Sequence, residues 1–182
     1  LAVPVVFLLG FSKGGFGSGL GLLGVPLLAL AVSPVVAAAI LLPILCVMDL
    51  FGLWAYWRRA DWHSMAALAP GALVGIGIGW ATFGLLDADG VRLLLGTIAL
   101  LFVAYHFAVA GRSMRPAARP GAVRAGFWSA VSGYTSTVAH AGGPPLAFYL
   151  LPLRPDKTVY VATTVVFFAF ANYVKLIPYA FL

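Results

Sequence analysis

Residues 13–19 read KGGFGSG, and residues 141–145 read AGGPP. Each stretch interrupts an apolar run, which covers residues 3–32 in the first case and 125–153 in the second. Both runs are long enough to cross a bilayer, which takes about 20 apolar residues in a helix. Because glycine and proline at this density break a helix, the sequence predicts two broken membrane segments.

Four further apolar runs are uninterrupted, and each has the length of a membrane helix. They are Pro34–Trp57, Ser64–Leu86, Val91–Ala110 and Val159 to the end of the chain. Hydrophobic residues make up 63% of the 182 positions and charged residues 9%, whereas soluble domains carry about 25% charged residues. This composition excludes a soluble globular protein and predicts an all-α, polytopic membrane helical bundle.

The basic residues lie mainly in gaps between apolar runs, so the net charge of +6 indicates membrane topology and not a nucleic-acid surface. We expect the arginine-containing loops 58–61 and 111–124 to be cytoplasmic, since cytoplasmic loops are rich in arginine and lysine. Six crossings then place three segments on the opposite side of the membrane. These are Ser33-Pro34, Asp87–Asp89 and Arg154–Lys157.

The two broken segments begin a repeat with an offset of about 120 residues. Residues 24–29 match residues 143–148, and Asp49 in the next helix matches Asn172 after a small gap. We expect residues 1–110 to form a first repeat of four membrane segments and 111–124 a cytoplasmic linker. Residues 125–182 form a second repeat, truncated to two of four segments, so we expect the chain to be a fragment. Four crossings per repeat would make the repeats parallel, whereas a broken segment that re-enters would invert them.

The broken segments are the predicted substrate site. In lipid, irregular backbone is tolerated only where protein or a water-filled cavity satisfies it, and transporters bind substrates at such places. Exposed N–H groups and the positive ends of helices suit an anion there, although close helix packing through small residues is an alternative explanation. The predicted anion-binding residues are Lys13, Gly14, Gly15, Gly17, Ser18, Ser136, Thr137, His140, Gly142, Gly143, Asn172 and Lys175.

Ionisable side chains within these segments suggest more specific roles. An unpaired charge within the membrane costs at least about 2.5–3.5 kcal/mol, so Lys13 and Lys175 each need a partner that offsets this cost. An anionic substrate held in the positive field of the two lysines, or a nearby carboxylate, would do so. Alternatively, the lysine stems reach an interface. Asp49 is predicted to carry a coupling proton, to bind a cation or to pair with one of the lysines. His140, with an ordinary pKa of about 6.5, is an anion donor, a proton acceptor or a hydrogen-bonded structural residue.

The remaining candidates for chemistry are weak. The three histidines are too scattered for a metal motif, and Cys46 is the only cysteine, so no metal or other cofactor is expected. The expected partners are a small anion and membrane lipid, with no nucleic acid. A transporter is predicted and not an enzyme; the alternatives are a passive anion channel and an intramembrane serine hydrolase using Ser18 and His140.

The sequence resembles the sulfite exporter TauE/SafE family over essentially its whole length. In the first half the resemblance is carried by Gly10–Gly17, Leu42-Pro43 and Asp49. In the second half it is carried by Gly133–Ser136, His140–Pro145, Thr163-Thr164 and Asn172–Leu176. The resemblance implies a multi-pass permease of the cell inner membrane with a duplicated four-helix unit. It also implies small anionic substrates, among them sulfite and sulfonates.

Overall fold

The computed structural model describes residues 2–11, 24–28, 31–82, 85, 87–109 and 121–179. Within these residues it contains eight α-helices, two short 3₁₀ helices and no β-strand, which confirms the predicted all-α architecture. The α-helices are α1 (Ala2–Phe11), α2 (Gly24–Leu28), α3 (Pro34–Tyr56), α4 (Trp62–Thr82), α5 (Ala88–Val109), α6 (Ala122–Ala139), α7 (Gly143–Leu150) and α8 (Lys157–Tyr179). The 3₁₀ helices are Trp57–Arg59 and Leu151–Leu153.

Three helical segments in the described part of the chain are long and apolar enough to cross a membrane. They are Val36–Arg59, Trp62–Thr82 and Lys157–Ile177. α5 has a similar length of 22 residues. Large apolar side chains on these helices face outward: Trp54 of α3 is 89% exposed and Phe107 of α5 is 73% exposed. Such apolar faces are suited to contact with lipid.

Short polar side chains cap the N-termini of three of the long helices. The hydroxyl of Ser33 accepts a backbone N–H from the first turn of α3 at 3.3 Å. The carboxylate of Asp61 accepts two backbone N–H groups at the start of α4, at 3.1 and 3.3 Å. Asp87 accepts one from the first turn of α5 at 2.7 Å. These caps satisfy N–H groups that a helix start leaves without partners, and they fix where each helix begins.

Glycines bring the backbones of α4 and α6 into contact. Three of the α4 glycines, Gly71, Gly75 and Gly79, are spaced four residues apart and therefore lie on one face of the helix, a spacing that lets membrane helices approach closely. A Cβ added at Gly75 would collide with the carbonyl oxygen of Ala130. In order along the interface, Gly71 faces Gly126, Gly75 faces Ala130 and Gly79 faces Thr137. Because both residue numbers rise together, α4 and α6 run parallel and side by side.

α3 and α8 pack against each other in antiparallel orientation. Their contacts, in order along α3, are Cys46 with Tyr173, Asp49 with Asn172 and Gly52 with Val165. The residue numbers in α8 fall as those in α3 rise. The end of α3 and the start of α8 therefore lie at the same end of the bundle.

The second broken segment re-enters instead of crossing. α6 begins at the end of the bundle where α4 begins, since the two helices are parallel and in register. After the break at residues 140–142, the chain returns to that end, where the backbone N–H of Asp61 donates to Thr163 Oγ1 at 2.9 Å. A cavity of about 190 Å³ at this end is lined by Asp61, Ser64, Leu150, Leu153, Pro155, Val159 and Thr163. α6 and α7 thus form a helical hairpin with the break at its tip.

Basic side chains gather at the end of the bundle where this hairpin opens, called here the basic end. The basic end holds Arg58, Arg59, Arg124, Arg154 and Lys157. Asp87 and Asp89 lie at the opposite end, beyond the last turn of α4. The prediction that Arg154–Lys157 lies opposite the Arg58–Asp61 loop is therefore wrong. The six-crossing topology fails at residues 125–153 because the chain turns back at the break.

Two apolar clusters fill the described interior. One joins α1, α2, α3, α5 and α6 and includes Leu41 and Val138. The other joins α4, α6, α7 and α8 and includes Leu68 and Phe167. Ala141 belongs to the first cluster and Leu146 to the second. The tip of the hairpin therefore lies deep in the protein, where the two clusters meet.

Candidate functional site

The break after α6 is a compact turn built around His140. This residue has φ 52° and ψ 28°, and its N–H donates to Ser136 O at 3.0 Å. The N–H of Ala141 donates to Thr135 O at 3.1 Å. This bonding pattern commonly ends helices, but glycine usually occupies the left-handed position that His140 occupies here. The hairpin tip therefore places an imidazole where the backbone would favour glycine.

Lys175 of α8 is buried at the tip of the hairpin, with no exposed surface. Its Nζ donates to Ser136 O at 2.9 Å and to Ser136 Oγ at 2.9 Å, and it lies 3.0 Å from His140 Nδ1. An ammonium has three donors, and these three acceptors match them in number. The acceptors lie at the C-terminal end of α6, where the helix dipole favours a cation. The alternative that Lys175 reaches an interface is therefore wrong.

The His140 ring connects the hairpin tip to two other helices. Its Nε2 lies 2.9 Å from Ala38 O of α3, and its Nδ1 lies 3.0 Å from Lys175 Nζ of α8. A backbone carbonyl only accepts hydrogen bonds, so Nε2 carries the proton and donates. Nδ1 then accepts from Lys175. These contacts assign His140 the neutral Nε2–H tautomer and join α3, α6 and α8 at one point.

A second buried polar pair lies one turn along α8. Asn172 Nδ2 donates to Asp49 Oδ2 of α3 at 2.7 Å, and both side chains are buried. At the other side of Lys175, the hydroxyl of Tyr179 donates to Thr137 O at 2.6 Å. Residues 172, 175 and 179 follow helical spacing, so their side chains share one face of α8. This face carries the polar contacts of α8 to α3 and to the hairpin.

The structure brings together three of the predicted site residues, Ser136, His140 and Lys175. Asn172 lies one turn away and bonds to Asp49, the predicted coupling residue. Gly142 follows the turn, and its carbonyl accepts from Ser132 Oγ at 2.7 Å. The predicted residues Lys13, Gly14, Gly15, Gly17 and Ser18 lie outside the described residues.

The surroundings of Thr137 and Gly143 differ from those of Ser136. The side chain of Thr137 faces Gly79 of α4, and its Oγ1 donates to Gly133 O at 2.8 Å, so the hydroxyl points away from Lys175. Gly143 starts α7, but the next two residues are prolines, which have no backbone N–H. The start of α7 therefore offers an anion fewer N–H donors than an ordinary helix would.

Sequence reasoning missed the residues that position the hairpin. The four-residue spacing of Gly71, Gly75 and Gly79 was a readable signal for close helix packing. Ser132 was also readable, as a polar residue in an apolar run ten residues before the glycine whose carbonyl it binds. Tyr179 gave no such signal, because its partner Thr137 is distant in sequence.

The sequence model of the family described as sulfite exporter TauE/SafE matches residues 2–182. The chain belongs to this family. No curated protein and no solved structure matches the chain. As a TauE/SafE protein it is a membrane transporter, and the helical, apolar architecture agrees with that class. The buried group formed by Lys175, Ser136 and His140 of this TauE/SafE protein is called here the Lys175 cluster.

Proposed function

We propose that this TauE/SafE protein transports a small sulfur oxyanion or organosulfonate and that Lys175 is the centre of its substrate site. The observation that carries the proposal is the burial of Lys175 at the tip of a re-entrant hairpin. Its three identified hydrogen-bond acceptors are a carbonyl, a hydroxyl and an imidazole nitrogen, which are uncharged. They match in number the three donors of the ammonium. An anion that replaces one of them would gain a charge-assisted hydrogen bond.

Family membership supports the sulfur anion as substrate, since the family is described as a sulfite exporter family. Sulfite, sulfate and sulfonates all present several oxygen acceptors on one sulfur atom. The hydroxyl of Ser136 and the amide of Asn172 are polar groups on the same side of the hairpin tip, and both fit such oxygens. Lys13 and Ser18 of the first broken segment stay predicted site residues and lie outside the described residues.

The proposed orientation places the basic end in the cytoplasm and the protein in the cell inner membrane. Of the described lysine and arginine residues, five lie at the basic end, whereas Arg92 pairs with Asp89 near the opposite end and Lys175 is buried. An excess of basic residues marks the cytoplasmic side of membrane proteins.

We also propose that α3 and α8 are corresponding helices of two inverted repeats. Asp49 and Asn172, which match in the sequence repeat, meet in a hydrogen bond between these antiparallel helices. A re-entrant hairpin precedes α8, as expected where repeats are inverted. On this proposal, residues 1–110 and 125–182 belong to the two repeats. We propose in addition that transport is coupled to protons and that Asp49 or His140 carries the proton.

Transport by the full-length protein in proteoliposomes tests the proposal. Uptake of ³⁵S-labelled sulfite, sulfate and a small sulfonate is measured with and without a pH gradient. Saturable uptake and counterflow of one of them are expected for wild type. Lys175→Gln should lower uptake roughly tenfold or more, because a hydrogen bond to a charged group contributes about 1.5–3 kcal/mol and tenfold is about 1.4 kcal/mol.

Lys157→Gln is the matched control, since Lys157 is an exposed residue at the start of the same helix. It removes one charge and should leave uptake close to wild type. Equal uptake by the Lys175 and Lys157 variants would contradict the site. Uptake without counterflow that follows the electrical gradient alone would instead indicate a passive channel. Nothing in the described part of the chain favours the serine hydrolase, because both ring nitrogens of His140 have other partners.

A further inference from the structure

The hydrogen bonds of His140 depend on which protons its ring carries. Nε2–H is used by Ala38 O at 2.9 Å, and the lone pair of Nδ1 is used by Lys175 at 3.0 Å. A proton added to Nδ1 would remove the acceptor that Lys175 uses and leave two cationic groups facing each other. The Lys175–His140 contact is therefore compatible with a neutral ring and incompatible with an imidazolium.

We propose that His140 carries the coupling proton of transport and that the proton and the substrate anion bind together, the anion bridging the imidazolium and Lys175. This inference rests on the proposed function of the Lys175 cluster. The proton adds to Nδ1 while Nε2–H stays bonded to Ala38 O. The hydrogen bond between Lys175 Nζ and Nδ1 breaks, and the anion accepts an N–H from each cation. After release of the anion the proton leaves Nδ1, and the bond between Lys175 and His140 re-forms.

Two other ionisable groups, Tyr179 and Asp49, lie on the helices that pack against the His140 ring. From α8, Tyr179 keeps its hydroxyl on Thr137 O at 2.6 Å, and its ring centroid lies 6.4 Å from that of His140. From α3, Asp49 accepts the amide of Asn172. α6 presents the uncharged Ser136, and Lys13 of the first broken segment lies outside the described residues. Protonation of the imidazole removes the Nδ1 acceptor and so opens the Lys175 cluster.

The backbone at the hairpin tip provides independent support. His140 adopts φ 52°, a left-handed conformation that is uncommon for residues other than glycine and tends to occur at functional sites. Glycine would end α6 there without strain, and two glycines occur nearby at positions 142 and 143, after Ala141. The side chain at position 140 is thus placed against the preference of the backbone, which is expected if its ring has a role.

The net charge that crosses the membrane depends on whether a proton accompanies the anion. A monovalent sulfonate that moves together with one proton carries no net charge across the membrane. Its transport by wild-type protein should then be insensitive to a potassium and valinomycin potential but should be driven by a pH gradient. A carrier of the anion alone would respond to the potential instead.

The test uses purified full-length protein with methanesulfonate and sulfate, because both keep a fixed charge between about pH 5 and 8, where histidine titrates. Calorimetry in two buffers of different ionisation enthalpy gives the number of protons taken up per anion bound. Wild type should take up about one proton per anion when binding starts from the neutral ring. This measurement needs no variant and so does not depend on the folding of one.

His140→Gln then identifies the carrier, because the glutamine amide can donate to Ala38 O and accept from Lys175 without titrating. This variant should bind the anion without taking up a proton. His63→Gln is the control, since His63 is exposed near the start of α4 and should retain wild-type proton uptake. Proton uptake that persists in His140→Gln, or anion binding by wild type without proton uptake, would overturn the inference while leaving the proposed function standing. Failure of both anions and of sulfite to bind wild type at any pH would reject the proposed function itself.

Discussion

Replacing Gly75 by alanine should separate α4 from α6, whereas the same change at Gly77 should not. A Cβ at Gly75 would collide with the carbonyl oxygen of Ala130 and would lie 2.7 Å from its carbonyl carbon and 2.9 Å from its Cα. A Cβ at Gly77 would have nothing within 4 Å. The collision at Gly75 is relieved only if the two helices move apart by more than about 0.5 Å. A gap of that size loses at least a quarter of the attractive energy of each affected van der Waals contact.

The two variants together isolate the packing energy. Both gain about 0.5–1 kcal/mol because alanine is a better helix former than glycine, and this gain cancels in the comparison. Inserting a methyl group into a packed interface costs about 1–3 kcal/mol. Gly75→Ala should therefore be less stable than Gly77→Ala by about 1–3 kcal/mol. It should also lower transport, since Ser136 and His140 move with α6 away from Lys175.

Stability is measured by titrating the purified protein from mild detergent into SDS and following tryptophan fluorescence. Transport of the same variants is measured in proteoliposomes. Equal stability of Gly75→Ala and Gly77→Ala would refute the backbone contact between α4 and α6. Lower stability with unchanged transport would refute the idea that this contact positions the Lys175 cluster.

Two further predictions concern the α8 interface and the membrane topology. Thr164→Val should stabilise the protein by about 1–2 kcal/mol in the SDS titration, because the buried Thr164 hydroxyl has no hydrogen-bond partner within the described residues. Thr163→Val should destabilise it, because Thr163 Oγ1 accepts a backbone N–H at 2.9 Å; equal effects would contradict these assignments. In a cysteine-free background, Arg58→Cys and Arg154→Cys should react with an impermeant maleimide from the same side of the membrane, and Asp89→Cys from the other. Labelling of positions 154 and 89 from the same side would show that residues 125–153 cross the membrane and do not turn back.

The fold class and the position of the break could be predicted from the sequence, but the direction of the chain after the break could not. The run 125–153 is long enough to cross a membrane, and length is the same whether a segment crosses or turns back. Direction is set by the left-handed turn at His140 and by the parallel packing of α6 on α4. Both are properties of contacts between segments, and hydropathy carries no information about them.

The candidate site was predicted as a set of residues but not as an arrangement. Lys175 and His140 were recognised because an ionisable group within an apolar segment is unusual. Their contact could not be predicted, since it depends on how α8 docks against the hairpin. Thr137 was predicted as a site residue because it adjoins Ser136 in the sequence. Adjacent residues on a helix point about 100° apart, however, and the side chain of Thr137 faces α4.

The glycine contact between α4 and α6 also has a consequence for how the transporter moves. Two helices whose backbones touch over several turns have no flexible side chains between them to accommodate sliding. α4 and α6 should consequently behave as one rigid body during transport. Movement between helices is then expected where side chains separate them, as between α3 and α8, where Val165 packs against Gly52.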